Sequence, residues 1–325
     1  LKPFWLKEFW LEPSISAQVG VLQRIAVLTR GRPLKCAMTS HVVALAIGIA
    51  SAALVKGWNL SPIEVRGQHL FDSHTGKNFY ARGIAFPNLQ EDISEWVEVL
   101  RRIKNLSPWI NVVRLYTVPD CTFNDNCFER FMKEADALGI YVVVPGTGTT
   151  WGWLPAPGTC KTADECYKAG GVLGWGQRII QTFHYPNTLA IAIGNEYDMQ
   201  NPQFMPVIKG YARDLKSYMQ MCNTNNDSPT LGRMRNIPLL YASSDDQGDA
   251  GVKPKMDYLF CAGSQVSIDI FGLNIERYCN DAGPAIYKEV SDWVAEAKYP
   301  GAFLFSEDGC TKKAYPKETR DWSSV

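Results

Sequence analysis

Seven apolar runs recur along this chain, and they are continuous rather than alternating: FYARGIAF (79–86), INVVRLY (110–116), IYVVVPG (140–146), LAIAIGNE (189–196), IPLLYASSD (237–245), SIDIFGLNI (267–275) and AFLFSED (302–308). A strand with one wet face alternates apolar and polar residues, whereas an unbroken run is covered on both faces. Amphipathic helical patterns follow five of the runs: ISEWVEVLRRIKNL, CFERFMKEADALG with Gly139 placed as a C-cap, GWGQRIIQTFH, PVIKGYARDLKSYMQ and AIYKEVSDWVAEA. After IPLLYASSD the connection reads as shorter. Upstream, IEVRGQHLFD and KNFYARGIAF flank the turn-rich SHTG and read as a hairpin that feeds the first buried strand. Strands and helices in alternation give an α/β fold with a parallel sheet. A doubly wound sheet tolerates seven strands, but no G-x-G-x-x-G or G-x-x-x-x-G-K-[ST] follows any of them. The expectation is a TIM-type (β/α)8 barrel over 58–325 with its eighth strand unit missing from the chain.

Composition narrows the function class. Lys+Arg and Asp+Glu are both 33, so there is no basic excess of the kind that marks nucleic-acid binding. The four His (His41, His69, His74, His184) fall in the leader, the hairpin and a helix end, away from strand termini. Metal ligation and a Ser-His-Asp triad are therefore not expected, and no cofactor is implied. Eight of the nine Cys lie within Cys121–Cys310 and none forms a CxxC pair, which favours disulfides in an oxidising compartment over zinc. MTSHVVALAIGIASAALVKG (38–57) reads as a signal peptide, with Ala50-Ser51-Ala52 as the small-x-small cleavage pattern. Residues 1–37 read as an upstream extension or gene-model artefact, with translation from Met38; the alternative is a cytosolic tail before a signal anchor. Asn59, Asn105 and Asn226 open N-glycosylation sequons, two of them followed by Pro108 and Pro229. A secreted or cell-surface location follows.

Barrel enzymes place reacting groups at the C-terminal ends of strands. Two runs end in acids there: IAIGNE puts Glu196 at the fourth, and FLFSE puts Glu307 at the seventh. A carboxylic acid that protonates a leaving oxygen and a carboxylate that attacks the anomeric carbon are what retaining glycosidic chemistry requires. Asn195, beside the first acid, is placed to hydrogen-bond a sugar 2-hydroxyl. Either glutamate alone reads more readily as a cap or an ion-pair partner; the two together point to catalysis.

The order ARGIAF, NVVRLY, GIYVVV, IAIGNE, YASSDD, FGLNI, FSEDGC is similar, over about residues 62–312, to the glycoside hydrolase family 72 β-1,3-glucanosyltransferases of fungal and fungus-like cell walls. The resemblance implies a retaining transglycosylase of the cell wall that cleaves a β-1,3-glucan and passes the glycosyl-enzyme to an acceptor glucan. Alternatives are a hydrolytic endo-β-glucanase of the same clan and a non-catalytic wall-glucan-binding protein. Any membrane attachment would come from a lipid anchor encoded past Val325. By resemblance, Glu196 is the acid/base and Glu307 the nucleophile. Asn195, Tyr116 and Asp245 match donor-site contacts, and Arg114 matches an arginine near the nucleophile. Cys279 and Cys310 match a family disulfide. Cys127 matches a cysteine whose usual partner has no counterpart here, with Cys121 as a substitute, and Cys160 and Cys166 are left to pair with each other. Cys261 matches a cysteine whose partner lies past this chain. The sugar-binding shell departs from the family pattern at Phe86-Pro87, Pro145, Ala250 and Ile275-Glu276, where Glu276 stands in place of a tyrosine beside the nucleophile.

Overall fold

The computed structural model describes residues 57–86, 93–118, 127–147, 171–197, 204–224, 235–245, 249–275 and 285–308. The leader region, Glu276 and Cys121, Cys160, Cys166, Cys279 and Cys310 lie outside them, as does the side chain of Cys127. A two-stranded antiparallel hairpin, β1 (Ile63–Arg66) and β2 (His69–Asp72), precedes seven strands: β3 (Gly83–Ala85), β4 (Val112–Arg114), β5 (Tyr141–Pro145), β6 (Thr188–Asn195), β7 (Leu239–Ser244), β8 (Ile270–Ile275) and β9 (Ala302–Asp308). These seven are parallel and hydrogen-bonded in sequence order, each beside its predecessor. Between them run α1 (Ile93–Leu106), α2 (Cys127–Ala137), α3 (Val172–Thr182), α4 (Phe204–Thr224), α5 (Asp249–Phe260) and α6 (Ala285–Ala297).

Side chains alternate between two cores, as a period of two demands. Val113, Val142, Val144, Ile191, Tyr241, Phe271 and Leu273 face outward and pack with helix residues such as Trp96, Leu100, Phe131 and Tyr211. Val112, Tyr141, Val143, Ala190, Ala192, Leu240, Ala242, Ile270 and Ala302 form a separate inner cluster. In α1, Ile93, Trp96, Val97, Leu100 and Ile103 recur at helical spacing, and Trp96, Val97 and Leu100 are buried. Full burial of a side chain such as Leu100 contributes about 1.5–3 kcal/mol. The hairpin supplies Ile63 and Leu70 to the inner cluster, and the Tyr141 hydroxyl donates to Ser61 O at 2.7 Å. It therefore closes the end of the barrel where β5 begins, opposite the strand C-termini.

Curvature follows from one side chain. Laid flat, β4 and β9 would stand about 24 Å apart, five strand spacings of roughly 4.8 Å. Yet Arg114 on β4 is hydrogen-bonded to Ser306 and Glu307 on β9. The sheet is rolled into a barrel.

Two readings of the sequence are corrected and a third is extended. The expected pairing across SHTG is present, with an antiparallel bridge between Phe71 and Asn78 and with Asp72 Oδ1 accepting from His74 and Thr75 N–H; a further turn, which the sequence reading did not give, lies at Gly67-Gln68 between β1 and β2, with Gly67 at φ +58°. The connection after β7 is a helix, α5, whose internal Pro254 removes one backbone donor and hides the helical signal. The first barrel strand is not covered: Gly83, Ile84 and Ala85 are exposed, Ile84 by 44%. Among the described residues β3 is paired along one edge only, with β4.

Candidate active site

The strand C-termini carry the polar residues of the inner face. Arg114 follows Val112 inward at the end of β4 and is 6% exposed. Its Nη2 donates to Asn195 Oδ1 at 2.6 Å, and its Nη1 donates to Glu307 Oε1 at 2.9 Å, Ser306 O at 3.1 Å and Asn274 Oδ1 at 3.3 Å. A planar fork can serve acceptors on several strands at once in a way a single ammonium cannot. Tyr116, two residues on, lies under the guanidinium at 4.8 Å. Burial pushes its hydroxyl above the ordinary value of 10.0; Arg114 opposes the rise, and a hydrogen bond to Glu307 adds to it.

Simple alternation fails to account for Glu307 and for Asn195. In β9, Ala302 and Leu304 face inward and Phe303 and Phe305 outward, so regular pleating would send Glu307 out toward the helices. The β8–β9 register instead slips: Leu273 opposes Phe305 but Asn274 opposes Glu307, leaving Ser306 as the extra residue. Such a bulge re-aims the side chains that follow it, and Ser306 and Glu307 both reach inner-face partners. Gly272 permits this, since a Cβ there would lie 2.6 Å from Ser306 Oγ.

The fourth barrel strand repeats the device. Ala192 opposes Leu240, but Asn195 opposes Ala242, so one residue is inserted. A Cβ on Gly194 would meet the Tyr197 and Tyr241 rings at 3.0 Å. Past the bulge Asn195 turns inward, and Glu196 adopts φ +52° with its N–H donating to Ala242 O at 2.8 Å. For a non-glycine residue this left-handed backbone costs about 1–3 kcal/mol and is characteristic of functional sites.

Asn274, 2% exposed at the end of β8, ties the halves together. Its Nδ2 donates to Glu196 Oε1 at 2.9 Å and to Asn195 Oδ1 at 3.0 Å, while its Oδ1 accepts from Ser306 Oγ at 2.7 Å. Glu196 and Glu307 are thus connected through Arg114 and Asn274 at one mouth of the barrel. Asn195 Oδ1 takes two N–H donors, which leaves its amide nitrogen to serve a ligand. Asp245 follows directly on β7 at the same mouth and is partly exposed. Among the described residues no group of His, Cys, Asp and Glu could hold a metal ion.

A family model for glucanosyltransferases, glycoside hydrolase family 72, matches residues 52–324. The chain belongs to family 72. It is 25% identical over 285 residues to the 1,3-beta-glucanosyltransferase GAS5 of Saccharomyces cerevisiae, covering 85% of this chain and 54% of the relative. It is 27% identical over 271 residues to the 1,3-beta-glucanosyltransferase gel2 of Aspergillus fumigatus, covering 77% and 51%. The chain spans about half the length of these relatives. Among solved structures, Saccharomyces cerevisiae Gas2p in complex with laminaritriose and laminaritetraose shares the fold, with a TM-score of 0.59 and 24% identity over 77% of this chain and 54% of that one.

In this family 72 chain, the structure brings Arg114, Tyr116, Asn195, Glu196 and Glu307 together at one mouth of the barrel. Asn274 and Ser306 were passed over as site residues. Each had a faint signal: Asn274 is the polar residue that ends FGLNI, and Ser306 directly precedes the acid of FLFSE. Among the cysteines, Cys222 on α4 is disulfide-bonded, a role the sequence reading did not assign. Cys261 is free and exposed, with Lys209 Nζ 2.8 Å from its sulfur.

Proposed function

We propose that the chain is a retaining β-1,3-glucan transglycosylase acting on wall glucan outside the cell. The observation that carries this is the pair of glutamates, on bulges of β6 and β9, linked through Arg114 and Asn274 at the C-terminal mouth of a family 72 barrel. Glu307, held by the Arg114 guanidinium, attacks the anomeric carbon. The glycosidic C–O bond breaks, its electron pair leaves with the oxygen, and that oxygen takes the proton of Glu196. The fragment carrying the original reducing end departs. Glu196, now a carboxylate, removes the proton from an acceptor hydroxyl, whose oxygen attacks the same carbon; the bond to Glu307 breaks and its electron pair returns to the carboxylate. Two inversions give retention. Asn195 donates to the 2-hydroxyl oxygen through its remaining amide N–H, and Tyr116 steadies the nucleophile.

Transfer and hydrolysis differ only in whether sugar or water meets the intermediate. Incubation with reduced laminari-oligosaccharides separates them: products longer than the substrate are expected. Shortened products alone would establish a hydrolytic endo-β-glucanase instead. If the wild type cleaves nothing and Glu307→Gln still binds laminarin as the wild type does, the chain is a wall-glucan-binding protein.

A further inference from the structure

The amide of Asn274 is locked in one orientation. Its Oδ1 faces two donors, Ser306 Oγ at 2.7 Å and Arg114 Nη1 at 3.3 Å, and its Nδ2 faces two acceptors, Glu196 Oε1 at 2.9 Å and Asn195 Oδ1 at 3.0 Å. Reversing the amide would set its oxygen against two oxygens and its NH2 against the Arg114 guanidinium, breaking three of the four bonds at a 2%-exposed position; the Ser306 hydroxyl alone can serve either orientation. The Glu196 oxygen that accepts from Nδ2 is therefore unsuited to carry a proton on that side. Ser306 faces inward in regular alternation after Ala302 and Leu304, and Gly272 leaves room for it. The bulge then brings Glu307 to the same side, so the nucleophile and the hydroxyl that meets the Asn274 amide sit next to each other.

We propose that Asn274, oriented by Arg114 and anchored by Ser306, is a positioning residue that directs the transferable proton to Oε2 of Glu196 and holds that oxygen toward the leaving group. This rests on the acid/base role assigned above to Glu196. Asn274 touches no substrate atom in this account; it acts through Glu196 and Asn195. The proton that Oε2 gives to the departing glycosidic oxygen returns to Oε2 from the acceptor hydroxyl, so the amide bonds persist unchanged through both half-reactions.

The test compares two donors that differ in their need for a proton: a reduced laminari-oligosaccharide, whose sugar leaving group must be protonated, and a 2,4-dinitrophenyl β-laminari-oligosaccharide, whose phenolate leaves without one. Asn274→Leu is expected to lower kcat on the sugar donor about 100-fold, the order expected for a displaced catalytic group, while the burst of dinitrophenolate stays within about threefold of wild type, since no general acid assists that step. Ser306→Ala, which removes one hydroxyl and leaves the fold intact by melting temperature, is expected to show the same split at about tenfold, the loss of one hydrogen bond. Equal losses on both donors in Ser306→Ala, or no loss on either, would overturn the proposal and leave the glucan reading standing. A wild type inert towards both donors would instead overturn the glucan reading and this inference with it.

Discussion

Replacing Arg114 by methionine should destabilise the barrel and silence the site together. The guanidinium is 6% exposed and donates to four oxygens on three other strands: Asn195, Asn274, Ser306 and Glu307. Methionine fills much of the volume but donates nothing, so a carboxylate and three neutral acceptors lose their partner. Breaking a buried pair by removing one member costs about 3–5 kcal/mol. The Glu307 side chain is 24% exposed and can recover some water, which places the expectation near the lower end, about 3 kcal/mol. For a domain of this size that corresponds to a fall in Tm of roughly 6–12 °C. Arg114→Lys keeps the charge but reaches one cluster rather than both, and should lose roughly half as much. Thermal unfolding followed by circular dichroism at fixed pH and salt reads these values. A Tm within about 1 °C of wild type for Arg114→Met would refute the claim that this fan of hydrogen bonds holds four strands together.

Three further outcomes follow from the same geometry. Gly194→Ala places a methyl 3.0 Å from the rings of Tyr197 and Tyr241; it should cost about 1–3 kcal/mol in denaturant unfolding and reduce activity more than stability, because the strain falls on the bulge that aims Asn195 and Glu196. Tyr116→Phe should lower kcat/KM about tenfold with little change in Tm, the value of one hydrogen bond to a charged group, as steady-state kinetics on laminari-oligosaccharides would show. His184 is half-buried, and its desolvation holds it below its ordinary value of 6.5. The unfolded chain therefore binds the proton first, so stability is full above about pH 6.5 and declines as the pH falls toward the depressed native value. His184→Gln should flatten that part of the unfolding free energy against pH.

Much of the barrel could be read from its strands because their two-sided burial is written in unbroken apolar runs, and the helices α1 and α6 from the spacing of their apolar faces. The misreadings share a local cause. Pro254 suppressed the signal of α5, and a glycine at φ +58°, six residues before the Ser-His-Thr-Gly cluster, makes a further hairpin turn that the cluster overshadowed. At the site, Glu196 and Glu307 were legible as acids that end apolar runs, but the period-two rule gives the wrong side for both Asn195 and Glu307. What corrects the side is an inserted residue in each strand, and an insertion shows itself only against the neighbouring strand's register. Gly194 and Gly272 mark those places in the sequence, but a glycine in an apolar run has many explanations until its neighbours are seen. Asn274 and Ser306 were overlooked for a related reason: their importance lies in the hydrogen-bonding groups of four strands that meet there, at 2.7–3.3 Å.

The central claim is that Glu307 and Glu196 act as nucleophile and acid/base on a glucan. A 2-deoxy-2-fluoro β-laminari-oligosaccharyl fluoride forms the glycosyl-enzyme readily and releases it slowly, so peptide mass spectrometry after a brief incubation reads the attacking residue. The expected result is one added glycosyl unit on the peptide containing Glu307, accumulating in the wild type and absent from Glu307→Gln. A label on any other residue, or none while the enzyme still turns over laminari-oligosaccharides, would contradict the account.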